Sequence, residues 1–272
     1  METPADPARR ASKIAQRYHR DGFASPVRIV GTGEEARNHR TRLEAAEARF
    51  GSLHYHSKAH TILTSPAELA TQPFVLDIIE AMIGPDILLL NATYIIKEPQ
   101  TAAHVSWHQD LTFWGLSDDD QVSMWLALSL ATPESGCMRM IPASHKQGLF
   151  RHDVTADASN VLLQGQTVTG VDETAAVMCP LAPGEASFHH GWTLHASMPN
   201  NSPERRIGLN VQYIATHMRQ TKHDLDTALL VRGRDAYGHF GDDIAATSDL
   251  DPGAVRRQRD LEALYVKTVG TG

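Results

Sequence analysis

Apolar and polar positions alternate along the middle of the chain. Over 206–213, Ile207, Leu209, Val211 and Tyr213 fall on one side and Arg206, Gly208, Asn210 and Gln212 on the other, the period-two pattern of a half-buried strand. The stretch "VSMWLALSL" repeats it, with Val122, Met124, Leu126, Leu128 and Leu130 opposed to Ser123, Trp125, Ala127 and Ser129. "DILLLNATYIIKEP", "CMRMIPAS" and "AAVMCPLAPGEASFHHG" are short apolar or β-branched segments bounded by Gly, Pro, Asn or Asp, and they too read as strands. The ends of the chain differ. Segments rich in Ala, Arg and Glu around 7–20 and 33–50 read as helices separated by the extended "FASPVRIV". "TQPFVLDIIEAMIG" reads as an amphipathic helix closed by Gly84 and Pro85. From 217 the chain turns polar again, with a helix expected near 253–266. Successive strands without helices between them predict a sandwich or barrel. The expected architecture is a single domain over 1–272, mainly β. Its β core spans about 86–216, with an N-terminal helical flank and a C-terminal lid or helix.

Composition narrows the function classes. A chain of 272 residues that is 42% hydrophobic can bury one substantial core. A formal charge of −7, with no run of Lys or Arg, argues against a nucleic-acid partner. No apolar run approaches the ~18 residues of a membrane span, and the N-terminus lacks a signal-peptide core. Cys137 and Cys179 show no metal or disulfide spacing, which fits a reducing, cytoplasmic setting. Oligomeric state leaves no mark in the sequence.

The candidate chemistry lies in "SWHQDLTFW". His-x-Asp is a weak signal and occurs twice, but His19-Arg20-Asp21 sits in a charged helical stretch where residues two apart diverge. His108 and Asp110 lie in strand-like surroundings, where alternation puts both side chains on one face. One further histidine would complete a two-His-one-carboxylate set that leaves coordination positions open on Fe(II). His189, His190 and His195 compete for that place in "GEASFHHGWTLHASMPNN". Arg206, on the polar face of its strand, suits bidentate capture of a dicarboxylate, and Gly208 leaves room beside it. Trp125 is an aromatic among small residues, either a pocket wall or ordinary core.

From about "YHRDGF" to "VQYI" the chain resembles the phytanoyl-CoA dioxygenase family, iron and 2-oxoglutarate dependent oxygenases built on a double-stranded β-helix (jelly roll, cupin-like). "WHQD", "SGCMRMIPASHKQG", "PGEASFHHGWTLHAS" and "NNSPERR" carry the resemblance. Glu185 and Ala143 depart from the family's usual Asp and Gly. The resemblance implies Fe(II) ligation by His108, Asp110 and His195. It implies capture of the distal 2-oxoglutarate carboxylate by Arg206 with Ser197, and a co-substrate pocket lined by Gln109 and Trp125. His189 and His190 are set aside because only His195 has the family spacing, and His145 falls in a structural loop. The implied activity uses Fe(II), 2-oxoglutarate and O2 to hydroxylate an unactivated C–H bond of a small molecule, as in secondary metabolism, releasing succinate and CO2. The alternatives are cyclisation, desaturation or epimerisation by the same chemistry, and a non-catalytic metal-binding jelly roll, which should have lost a ligand or the arginine. The retained Asp110 argues against halogenation. "LTFWGLSDDDQ", the loop between Gly148 and Thr174 and the tail after His217 are lid candidates. Lys97 is a candidate for an anionic substrate group, and Phe113 and Trp114 for a substrate ring.

Overall fold

The computed structural model describes residues 6–162 and 165–270. Two positions of the lid candidate between Gly148 and Thr174, and the first five and last two residues of the chain, therefore lie outside the described residues. Among those described, eleven strands form two sheets.

The helical flank comes first. Helix α1 (Pro7–Asp21) starts where Asp6 caps the amide of Ala8 and Pro7 occupies a position that needs no donor. Strand β1 (Phe23–Arg28) follows, then α2 (Gly33–Phe50), opened by a reciprocal capping box between Thr32 and Glu35. Helices α3 (Thr64–Ala70) and α4 (Pro73–Ile83) complete the flank, and α4 stops at Gly84, whose φ of 92° favours glycine. Strands β2 (Ile87–Lys97), β3 (Val105–His108), β4 (Gln121–Ala127), β5 (Met138–Met140), β6 (Val177–Cys179), β7 (Glu185–His189), β8 (His195–Ser197) and β9 (Arg206–Ala215) build the core. A one-turn helix, α5 (Leu111–Trp114), interrupts them directly after Asp110. Strands β10 (Thr227–Arg232) and β11 (Gly241–Asp242) and helix α6 (Pro252–Gly270) close the chain.

The large sheet runs β1-β7-β4-β9-β2-β10-β11 and the small one β3-β8-β5-β6. Two segments outside the expected 86–216 core join the large sheet. The extended "FASPVRIV" becomes an edge strand, β1, antiparallel to β7. The polar region after 217 contributes β10, antiparallel to β2, because Ala228 packs with Leu88, Leu90, Ile214 and Phe240 in a small apolar cluster.

The alternation in the sequence sorts the two faces of the large sheet. Met124, Leu126, Leu209, Val211 and Tyr213 join Ala15, Tyr18, Leu43, Leu69, Val75 and Ile78 of α1–α4 in the main core. Trp125, Ala127, Met138 and Met140 pack between the two sheets instead. Helices therefore cover one face of the large sheet, and the other looks across a cavity at the small sheet. This is the double-stranded β-helix arrangement expected from the sequence.

Candidate active site

The small sheet positions the histidines. His108 ends β3 and His195 opens β8, and the two are directly paired across the ladder. Their rings lie 4.0 Å apart between centroids. Asp110 follows at the first turn of α5, with φ −58° and ψ −47°, which swings its carboxylate back toward the pair. One ligand atom from each of His108, Asp110 and His195 falls within 4.8 Å of the others, the spacing needed to hold one ion.

Tautomers and charge suit that role. His108 Nδ1 lies 2.9 Å from the Ser106 carbonyl and His195 Nδ1 2.9 Å from the Thr193 carbonyl, so each donates there and leaves its Nε2 lone pair toward the centre. Burial, reinforced by His108, pushes the pKa of His195 well below its usual value and keeps the ring neutral. Burial would raise the Asp110 carboxyl, but the surrounding imidazoles of His195, His108 and His189 hold it well below the usual carboxylate range. The two Asp110 oxygens have different surroundings. Oδ1 faces His108 Nε2 at 3.3 Å and His195 Nε2 at 3.7 Å. Oδ2 accepts from Ser123 Oγ at 3.1 Å and lies 3.4 Å from His189 Nε2.

His189 is the residue that sequence reasoning set aside too completely. It is outside the three-residue ligand cluster, yet it is buried on β7, lines the cavity and contacts the carboxylate. Its position in "SFHHG" on a strand facing Ser123 was the available signal. His190 points elsewhere, packing near Tyr18 and His145, and His145 reaches the carbonyl of His19.

Arg206 lies at the other end of the cavity, in the first position of β9 and 1% exposed. Its Nε and Nη1 have no hydrogen-bond partner. Burial brings its pKa down to about 10, still cationic at neutral pH. The guanidinium stacks 4.5 Å over the Trp125 ring. Gly208 makes this possible, because a Cβ there would sit 2.0 Å from the Trp125 ring. Its neighbour Arg205 points away, to Glu47 and Glu98 at 2.9 Å each. Ser197 and Trp125 share the cavity with Arg206, as do Phe113 and Trp114.

Two expected residues are placed differently. The Gln109 amide donates to the carbonyls of Gly148 and Trp192 and accepts from the Phe150 amide, so it braces loops and does not line the cavity. Lys97 pairs in register with Arg206, but its amine is turned to Ser197 O, Ser197 Oγ and Met198 O at 3.1, 2.7 and 2.5 Å. Both bury a polar head that backbone oxygens then absorb. Tyr55, Asn91 and Tyr265 line the cavity without any local sequence signal, since each arrives from a segment distant in the chain.

Among the described residues no helix is long and apolar enough to cross a membrane. The family model described as phytanoyl-CoA dioxygenase (PhyH) matches residues 10–208. A probable alpha-ketoglutarate-dependent hypophosphite dioxygenase of Stutzerimonas stutzeri is 29% identical over 143 residues, 52% of this chain and 50% of that protein. Phytanoyl-CoA dioxygenase 1 of Oryza sativa subsp. japonica is 31% identical over 128 residues, 47% of this chain and 45% of that protein. The chain thus spans about half the length of these curated relatives. A solved structure described as the non-heme monooxygenase ThoJ is 29% identical with a TM-score of 0.79, covering 93% of this chain and 99% of that one. The epimerase SnoN, solved with Fe3+, alpha ketoglutarate and nogalamycin RO, shares the fold at a TM-score of 0.66 and 21% identity, over 89% of this chain and 98% of that one. With a family match across most of its length and two histidines and one carboxylate converging opposite a buried arginine, the chain belongs to the phytanoyl-CoA dioxygenase family of iron and 2-oxoglutarate dependent oxygenases.

Proposed function

We propose that the protein hydroxylates an unactivated C–H bond of a small molecule, consuming 2-oxoglutarate and O2 and releasing succinate and CO2. The observation that carries the proposal is the pairing of the His108–Asp110–His195 cluster with the unpartnered, buried guanidinium of Arg206 in one cavity. Two imidazoles and a carboxylate fit Fe(II), and three donors leave coordination positions free. When bound, the iron supplies the oxygen-activating chemistry.

The chain's own residues bind and orient. Ser106 O and Thr193 O fix the histidine tautomers, and Ser123 Oγ holds the outer oxygen of Asp110 so that its inner oxygen faces the ion. Arg206 would take the distal carboxylate of 2-oxoglutarate with two parallel hydrogen bonds, its orientation set by Trp125. Ser197 Oγ accepts from Lys97, so its own hydrogen remains to donate to the same carboxylate. Phe113, Trp114 and Tyr265 exclude water from the substrate end. Cyclisation, desaturation and epimerisation use the same binding groups and remain variants of this reading, decided by where the substrate radical goes.

The test is mass spectrometry of a metabolite library incubated with enzyme, Fe(II), 2-oxoglutarate and O2. A gain of one oxygen identifies hydroxylation, loss of two hydrogens identifies cyclisation or desaturation, and epimerisation, which leaves the mass unchanged, is read as a new chromatographic peak of the substrate's own mass. Asp110→Ala should abolish coupled turnover, and full activity in that variant would remove the proposed ligand set.

A further inference from the structure

Among the described residues, four basic side chains lie in or next to the cavity lining, and three are already engaged. Lys58 Nζ donates to Leu90 O at 2.6 Å, Thr227 O at 2.5 Å and Asp243 Oδ2 at 3.1 Å. Lys97 Nζ is surrounded by Ser197 and Met198 oxygens. Lys222 Nζ donates to Thr268 O at 2.7 Å and to the carbonyl of the cavity-lining Phe113 at 3.2 Å. Only Arg206 presents open donors, and the oxygenase reading assigns these to 2-oxoglutarate.

The wall beyond Arg206 is polar but uncharged. On β9, Asn210 and Gln212 continue the inward face, and β2 sets Thr93 and Asn91 directly opposite them in register. All four line the cavity. Asn210 Oδ1 is a buried acceptor without a partner, whereas the Gln212 amide has the Tyr265 hydroxyl beside it. A buried acceptor left unpaired is unfavourable, so Asn210 calls for a donor from whatever enters. Facing them are Phe113 and Trp114 from α5 and Tyr265 from α6, an aromatic side with no formal charge.

We infer that the substrate is an uncharged organic molecule, with hydroxyl or amide N–H donors along one edge and an apolar or ring-like body, and that phosphorylated or carboxylate substrates are rejected. This rests on the oxygenase reading, which occupies Arg206 with the co-substrate. An anion buried beyond it would have no counter-charge, and such a group is strongly disfavoured. The neutral ladder, by contrast, spans two adjacent strands, with Asn91 fixed by the Lys58 amide and by Thr93 and with Asn210 open beside them, a template for a donor-bearing edge.

The experiment uses the full chain loaded anaerobically with Fe(II) and 2-oxoglutarate. The weak visible charge-transfer band of the keto-acid chelate must appear first; without it the oxygenase reading fails before substrate class is addressed. Matched probes are then titrated while the band is followed: phenyl β-glucoside against phenyl phosphate, adenosine against its 5′-monophosphate, and free coenzyme A. The expected result is a neutral partner that binds at least roughly tenfold tighter than its anionic twin, with the anions inert up to about 10 mM. An anion that shifts the band as strongly as its neutral partner overturns the inference. Gln212→Lys and Asn91→Lys each place a cation in the ladder, and at least one should acquire a response to phenyl phosphate. If both fold, show the band and still ignore it, want of a cation is not what excludes anions, and the inference falls even where neither phenyl compound binds the wild type.

Discussion

Arg206→Met separates what the arginine does for the fold from what it does for the co-substrate. In the unloaded protein a buried guanidinium has two nitrogens without partners, stabilised mainly by its stack on Trp125. A cation–π contact of this kind contributes about 0.5–2 kcal/mol, whereas an unsatisfied buried polar group is unfavourable by about 1–3 kcal/mol. Met keeps most of the volume and can still pack on the indole, so the unloaded variant should be at least as stable as the wild type. With 2-oxoglutarate the sign reverses. At a free concentration near 100 Kd, binding stabilises the wild type by about 2.7 kcal/mol. For a domain of this size that is a rise in Tm of about 5–10 °C. Removing one partner of a buried charge pair costs about 2–5 kcal/mol of binding, at least a roughly 30-fold weaker Kd. At the same co-substrate concentration the variant should then gain below about 0.9 kcal/mol, or about 3 °C or less. The assay is thermal unfolding under anaerobic Fe(II), with and without 2-oxoglutarate. A wild-type shift in the variant would show that the carboxylate is anchored elsewhere. An unloaded variant less stable by more than about 2 kcal/mol would show that the guanidinium is compensated in a way the hydrogen-bond pattern does not reveal. Arg205→Ala is the control: it breaks the pairs to Glu47 and Glu98 and should leave the co-substrate shift unchanged.

Gly208→Ala pushes a methyl into the Trp125 ring and should destabilise the protein by about 1–3 kcal/mol in urea unfolding while weakening 2-oxoglutarate binding; a neutral effect on both would mean that the indole does not seat the arginine. His189→Ala frees the outer oxygen of Asp110 from one of its two neighbours and should weaken Fe(II) or Co(II) affinity about 10- to 100-fold, with His189→Asn recovering part of it; unchanged titrations would make the contact incidental. Burial, with repulsion from Arg206, lowers the Lys97 pKa to about 6 against 10.5 unfolded. Between those values the unfolded chain binds more protons, so stability rises with pH by up to about 1.4 kcal/mol per unit from this group. Lys97→Met should flatten that rise between pH 7 and 8 in urea titrations, and parallel slopes for the two proteins would contradict the assignment.

Strand faces were legible because period-two alternation is local: the side on which Arg206, Asn210 and Gln212 fall follows from eight consecutive residues. The convergence of His108 and Asp110 followed from the same spacing, although Asp110 joins the cluster from a helical turn and not from a strand. What sequence could not supply was the direction of long polar side chains. Gln109 and Lys97 carry suitable chemistry next to the site, but their heads are captured by carbonyls of loops whose positions depend on tertiary packing. β10 was hidden for a related reason. "TALLVR" is a short run in polar surroundings, and its pairing with β2 on one side and β11 on the other makes it a strand. Tyr265 comes from a helix held by contacts such as His56 with Glu262 and Gln258 with Ser57, pairs separated by some two hundred positions.

His108 and His195 are facing rungs of the same short ladder, while Arg206 belongs to the opposite, longer sheet. An ion between the two imidazoles would therefore clasp the minor sheet directly and reach the larger one only through Asp110 and its hydrogen bond from Ser123. Removing a bound ion with a chelator should loosen amide protons of β3 and β8 first and leave those of β2 and β9 slow to exchange, so that a metal would guard the sheet of shorter strands against local opening.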